Sequence, residues 1–282
     1  MLENELRKNC VEEKLADNSP INLLSVTDEA NISKKMNVSH KDIQKKALES
    51  KIFPTRYLRN YGTVGFDGQL TLLNSTVGVV GAGGLGGYIV EFLARMGIGN
   101  LVVIDDDTFE DNNLNRQLLS TEENLAEYKT SAVSPRVDML NKGVDVKTIT
   151  NRLTEDNGEE LLGECDVIVD ALDNLPSRYA LEETAKSMGV PMVHGAIGGF
   201  IGQVMTIFPD DTGLSAIYPK KEDAPDKLIE VSLGNPTATP PMIASWQVQE
   251  CVKILTGLGE PLRNCLLYFD ALEGQVETIK II

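Results

Sequence analysis

The sequence predicts an α/β fold: a doubly wound, mostly parallel sheet with an antiparallel extension, plus a small helical appendage at the N-terminus. Three observations carry this reading. Apolar runs of strand length alternate with helically spaced segments from residue 51 onward. A glycine-rich turn joins one such run to a helix. Near the C-terminus two apolar stretches follow one another with no helix between them, which turns that edge antiparallel. A chain of 282 residues holds one large domain of this kind or two small ones.

Residues 1–50 are expected to form the appendage and residues 51–282 the main domain. The first 50 residues contain no glycine and carry 8 basic against 9 acidic side chains. The run "NISKKMNVSHKDIQKKALE" (31–49) reads as two short helices around "NVS", with Ser39 able to cap the second. The pair loosely resembles a helix-turn-helix; the plainer alternative is a helical unit packed on the body or on a partner. In the body, "TVGVV" (76–80) is a buried strand. Leu85, Ile89, Phe92, Leu93 and Met96 share one helix face. "LVVID" (101–105) is the next strand, and residues 129–140 suit a helix that Pro135 can kink. "DVKTIT", "DVIVDAL" and "PMVHGA" are further strands. "GQVMTIFP" (202–209) follows so closely that it is expected to run antiparallel. Residues 242–255 make an amphipathic helix, and "CLLYFDALEGQVETIKI" a hairpin.

Charge and cysteine usage exclude several classes. The formal net charge is −16, nearly all of it in the body. That argues against general nucleic-acid or anionic-membrane binding. No run of ~18 apolar residues is present to span a membrane. The N-terminus has no apolar core of a signal peptide. Cys10, Cys165, Cys251 and Cys265 are widely spaced, without a CxxC pair. A cytoplasmic location with reduced thiols is the expectation.

The chemistry-bearing stretch begins at "VVGAGGLGG". It gives G-x-G-x-x-G as Gly81, Gly83 and Gly86, after a strand and at the start of a helix. Such a turn lets phosphate approach backbone N–H groups at a helix N-terminus. Asp105 ends the next strand, 24 residues after Gly81, where an acid can accept hydrogen bonds from ribose hydroxyls. By the turn alone, NAD is the favoured ligand. The following "IDDDTFEDNNLNRQ" (104–117) shifts the balance. Asn113, Arg116 and Gln117 bring two amides and a guanidinium toward the nucleotide. Hydride transfer has no need of a guanidinium there, whereas a triphosphate does. Arg56 and Arg59 lie ahead of the first strand, Lys129 opens a later helix, and Asp173 lies just beyond the "VIVD" strand with Asn174 beside it. An acid there suits Mg²⁺ through one carboxylate and waters. Each has a bland alternative: Arg59 and Lys129 as surface charges, Asp173 as a helix cap. Asp106, Glu110 and Asp111 are most simply solvated loop residues.

"RYLRN", "GQLTLLNSTVGVVGAGGLGG", "IDDDTFEDNNLNRQ", "DALDN" and "HGAIGGFIGQV" together resemble the HesA/MoeB/ThiF family of ubiquitin-activating-type adenylyltransferases. The resemblance covers roughly residues 51–282. It implies a Rossmann-like, doubly wound fold that binds ATP and Mg²⁺, usually as a homodimer. The implied reaction adenylates the C-terminal glycine carboxylate of a small β-grasp protein, such as a sulfur carrier or ubiquitin-like protein. By the same resemblance, Gly81, Gly83, Gly84 and Gly86 would cradle phosphate and Asp105 would hold ribose. Asn113, Arg116 and Lys129 would contact the triphosphate, with Asp107, Gln117 and Asn174 also binding the nucleotide. Asp173 would bind Mg²⁺, and Arg59 would reach into the partner subunit's site.

The chain departs from the family pattern in its cysteines. Many members hold structural zinc in two CxxC pairs; none is present here, so no zinc is expected. Members that form a thioester or persulfide carry a cysteine after "GQV…P", and none lies between Pro209 and Pro241. Cys251 and Cys265 read as core thiols, so no enzyme thioester is expected. His194 reads as a packed polar residue. The segment 210–240 resembles a crossover loop under which a partner's tail threads, or is an ordinary surface loop. Three rivals remain. One is adenylation of another carboxylate, on a modified tRNA base or a peptide. Another is a non-catalytic nucleotide-binding regulator using residues 1–50 as an interaction module. The third is an NAD-dependent oxidoreductase, for which no catalytic acid or base is found.

Overall fold

The computed structural model describes residues 1–223 and 233–281. The chain opens with α1 (Leu2–Asn9), β1 (Val11–Lys14), β2 (Pro20–Leu24), α2 (Val26–Met36), α3 (His40–Glu49) and β3 (Ile52–Pro54). β1 pairs antiparallel with β2, and β2 parallel with β3. The appendage is therefore mixed, not purely helical. Its first strand, "VEEK", is exposed throughout and has no apolar period, so ladder hydrogen bonds alone define it. β3 lies past residue 50, so the division at 50/51 falls inside this small sheet. Ser39 caps α3, its hydroxyl accepting the Asp42 N–H at 3.0 Å. Ile43, Gln44, Ala47 and Leu48 of α3 are buried, which commits the second helix of the helix-turn-helix-like pair to packing.

A 3-10 helix (Thr55–Asn60) and α4 (Tyr61–Asn74) lead into the main sheet. There follow β4 (Thr76–Val80), α5 (Gly86–Met96), β5 (Asn100–Ile104), α6 (Val133–Leu140), β6 (Asp145–Ile149), α7 (Gly158–Leu162), β7 (Val167–Asp170) and α8 (Leu175–Met188). The described chain then runs through β8 (Met192–Gly198), β9 (Ile201–Ile207), α9 (Thr239–Thr256), β10 (Cys265–Asp270) and β11 (Gln275–Lys280). The eight strands lie in the order β11-β10-β9-β8-β7-β4-β5-β6. β6, β5, β4, β7 and β8 are parallel neighbours. β9, β10 and β11 extend the sheet antiparallel. Pro135 sits in the first turn of α6, where its missing N–H is no loss, and 3-10 helix Lys129–Ala132 precedes it.

Both faces of the sheet are covered because the central strands are apolar on both. Val77, Val79, Leu101, Val103, Val167 and Val169 pack on one side with Ile89, Leu93, Val137 and Ile243 from α5, α6 and α9. Val80, Val102, Ile104 and Ile168 pack on the other side with Leu162 of α7 and Leu175 and Leu181 of α8. Each such fully buried side chain contributes ~1.5–3 kcal/mol. No helix among the described residues is long and apolar enough to cross a membrane.

Candidate functional site

From β4 the chain winds outward through β5 to β6, then returns to lay β7 on the other side of β4. That reversal opens a crevice at the carboxyl ends of β4 and β7, where ligands bind in doubly wound sheets. The glycine turn fills its floor. Gly81 has φ +97°, and a Cβ there would lie 2.5 Å from the Ala171 carbonyl oxygen just past β7. A Cβ on Gly86 would lie 1.8 Å from the Gly81 oxygen. Both positions therefore require glycine: one for its backbone angle, the other so that α5 can start against the turn. Above the turn lies a cavity of about 480 Å³, within the ~300–1,000 Å³ range of small-molecule sites.

The cavity wall gathers Gly81, Gly83, Gly84, Asp105, Asp107, Arg116, Gln117, Lys129, Asp173 and Asn174 from five separate parts of the chain. Arg116 and Gln117 lie over the turn itself. The Cβ position of Gly84 is 3.8 Å from Arg116 Nε, and that of Gly83 is 3.6 Å from Gln117 Nε2. Arg116 Nη1 donates to the Asn112 carbonyl at 2.8 Å and to Asn115 Oδ1 at 2.9 Å. Lys129 is 8% exposed and donates to Asp107 Oδ2 at 2.9 Å. Asp105 Oδ2 accepts the Ala82 N–H at 2.6 Å and Oδ1 the Asp107 N–H at 2.8 Å. Burial pushes the Asp105 carboxyl above its usual range, against the opposing pull of Lys129 and those two N–H groups. On the far wall Asn174, not Asp173, caps α8, accepting the Ser177 N–H at 2.9 Å. Asp173 stays exposed, with Asn174 Nδ2 at 3.2 Å.

Three expected residues lie off the wall. Gly86 is behind the turn. Asn113 is buried and does not line the cavity. Its Oδ1 accepts the Glu110 N–H, and its carbonyl accepts the N–H groups of Arg116 and Gln117. It shapes the loop that carries the cation. Arg59 is exposed on its 3-10 helix, outside this cavity. Sequence reasoning missed Asn151, Arg152 and Leu153, which follow β6, and Asn235 and Ile197. The first three follow a parallel strand's carboxyl end, so the switch-point rule could have found them. Asn235 arrives from a loop with no such signal. It is held by Asn115 Nδ2, which donates to the Asn235 carbonyl at 3.0 Å. The middle of the suggested crossover loop, residues 224–232, lies outside the described residues.

Two acceptors on the wall, Gln117 Oε1 and Asn235 Oδ1, are buried without a hydrogen-bond partner. Buried amides are ordinarily satisfied, so these two fit a ligand. An amide can turn end for end, offering oxygen to a hydroxyl or N–H to a phosphate. No cluster of three metal-ligating side chains occurs among the described residues. A nucleotide-bound Mg²⁺ needs only one or two carboxylates beside the phosphates, a requirement that exposed Asp173 meets. His194 is fully buried under the site, its Nδ1 2.7 Å from Asp170 Oδ2. Cys251 is fully buried and its thiol is pushed far up by burial; Cys265 is partly exposed.

Fold and cavity thus define a doubly wound protein with a nucleotide-type pocket at its switch point. The ThiF family matches residues 57–282, and the chain belongs to that family of E1-like adenylyltransferases. The SAMP-activating enzyme E1 of Haloferax volcanii is 38% identical over 219 residues, 77% of this chain and 80% of that protein. The sulfur carrier protein adenylyltransferase of Thermus thermophilus is 36% identical over 225 residues, 77% of this chain and 83% of that one. Among solved structures, E. coli MccB aligns with a TM-score of 0.69 at 21% identity, over 80% of this chain and 69% of that chain. PaaA aligns with a TM-score of 0.67 at 21% identity, over 89% and 84%. These two likenesses concern the fold.

Proposed function

We propose that the enzyme uses ATP and Mg²⁺ to adenylate the C-terminal glycine carboxylate of a small β-grasp sulfur-carrier or ubiquitin-like protein. The observation that carries this reading is the meeting of Arg116 and Lys129 with the glycine turn in one cavity, together with the exposed carboxylate of Asp173. The names of the Haloferax and Thermus relatives support the substrate class.

A carboxylate oxygen attacks the α-phosphorus. The new O–P bond forms as the bond to the β-phosphate bridging oxygen breaks, and pyrophosphate leaves with the electron pair. Nucleophile and electrophile are both anionic, so the barrier is mainly electrostatic. Arg116 and Lys129 are already held in place and exchange protein acceptors for phosphate oxygens. The Gly83 and Gly84 backbone lets phosphate approach closely, and Asp105 accepts from ribose hydroxyls. Asp173 would hold Mg²⁺, which supplies neutralising charge on the phosphates. No general base is required, because the nucleophile is already ionised. The reaction is proposed to stop at the acyl adenylate, without an enzyme thioester. Arg59 is proposed to act in the neighbouring subunit of a homodimer.

ATP–pyrophosphate exchange with purified carriers ending in Gly-Gly tests the proposal. Exchange should depend on carrier and Mg²⁺, and Asp173→Ala should lower it about 10²–10³-fold. Full exchange in that variant removes the metal assignment. Exchange driven only by a peptide or a tRNA changes the substrate class, and NAD outcompeting ATP for the site sinks the proposal.

A further inference from the structure

The 3-10 helix Thr55–Asn60 carries Arg59 and is gripped from two sides. Tyr57 is 1% exposed; its hydroxyl donates to Gln44 Oε1 at 2.9 Å and accepts from Asn141 Nδ2 at 2.7 Å. Gln44 Nε2 donates to Glu29 Oε1 at 3.0 Å and to Asn141 Oδ1 at 3.3 Å. Asn141 Nδ2 also donates to the Ala94 carbonyl at 3.0 Å, inside α5, the helix that the glycine turn opens. One residue earlier, Arg56 Nη1 donates to the Leu140 carbonyl at 3.0 Å, with Nε 3.9 Å from Glu29 Oε2. At the helix end, Asn60 Nδ2 donates to Gln69 Oε1 at 3.0 Å. Arg59 itself is exposed and has no hydrogen bond or ion pair among the described residues.

Resting on the function proposed above, we infer that residues 1–50 position Arg59, with Gln44 as the positioning residue that links the appendage, the arginine's helix and α5. A bare module for outside partners would turn its polar groups outward. Here the fully buried Gln44 and the nearly buried Glu29 point inward at the arginine's helix. Amide hydrogen bonds are directional, so this chain fixes the helix where apolar contact alone would let it slide. An exposed arginine that completes another subunit's site needs such a fixed base, since ~1 Å of misplacement can cost about 10²-fold in rate.

The test uses the full chain with Gln44→Met, which keeps the volume and removes the amide. Amide hydrogen exchange should quicken across residues 55–60 and the last turn of α5, while the core of α2 and α3 stays protected. In pyrophosphate exchange, kcat should fall at least about 10-fold with KM for ATP moved less than about 2-fold, the split expected of misplaced chemistry. In an Arg59→Ala background the same change should cost nothing more. Should Gln44→Met fail to fold, Tyr57→Phe removes the same link and is read the same way. Wild-type exchange that Arg59→Ala lowers to a measurable residual rate, beside full kcat in Gln44→Met, overturns the positioning role and leaves the function standing. A full additional loss in the double variant also overturns it. Absence of wild-type exchange removes the function and this role with it.

Discussion

Asp105 fastens the fold and, in the proposed reaction, also holds the ribose. Its two oxygens hold the N–H groups of Ala82 and Asp107, so it fastens the glycine turn to the end of β5. Burial makes its charge costly and raises its pKa. Protonation therefore begins at a higher pH than for a free aspartate. On the proposed function the charged form accepts from the ribose hydroxyls, so kcat/KM for ATP should fall as pH drops through that raised range. Asp105→Asn should weaken ATP binding and erase this acid limb; a pH profile of exchange with the limb unchanged would show that another group sets it. Arg116 and Lys129 illustrate a different economy at this scale. Each is already bonded to protein acceptors, so neither must be ordered from solvent when phosphate arrives.

At the level of elements, the turn from β4 into α5 is the tightest joint in the site. Gly86 admits no Cβ, because the backbone oxygen of Gly81 cannot retreat without moving the phosphate loop. Gly86→Ala should lower stability by about 1–3 kcal/mol, read as a fall of several degrees in Tm, and should raise KM for ATP. An unchanged Tm and KM would mean that α5 starts elsewhere in solution. Elements of this kind were legible in the sequence. β4, β5, β7 and β8 are continuous apolar runs, and α5 and α9 have one apolar face. The appendage strands were not legible. β1 buries nothing and β3 spans three residues, so neither leaves a periodic trace.

On the scale of the whole molecule, Arg59 is proposed to complete a site whose wall in its own chain does not include it. If it acts across a homodimer, two dead variants can rescue one another. Mixing Arg59→Ala with Asp173→Ala in equal amounts should restore about a quarter of wild-type exchange, since half the dimers are mixed and each holds one complete site. No recovery, with subunit exchange verified by sedimentation of labelled chains, would assign Arg59 to its own subunit. The appendage belongs to this scale as well. Its own three-stranded sheet stands apart from the main one, and a buried hydrogen-bond chain links it to α5 through Gln44 and Asn141.

The sequence by itself determined the sheet, its glycine turn and the residue types at the strand ends, because those depend on local periodicity and short-range spacing. The cationic and acidic groups were readable one by one, and their order along the chain already pointed to a triphosphate. Only the tertiary structure decided which of them share a wall. It turned Asn113 inward to shape a loop, gave the α8 cap to Asn174 and left Asp173 exposed. It also brought Asn151, Arg152 and Asn235 to the cavity and placed Gln44 beneath the arginine's helix. Those outcomes depend on contacts between segments far apart in the chain, and no local pattern encodes where such segments meet.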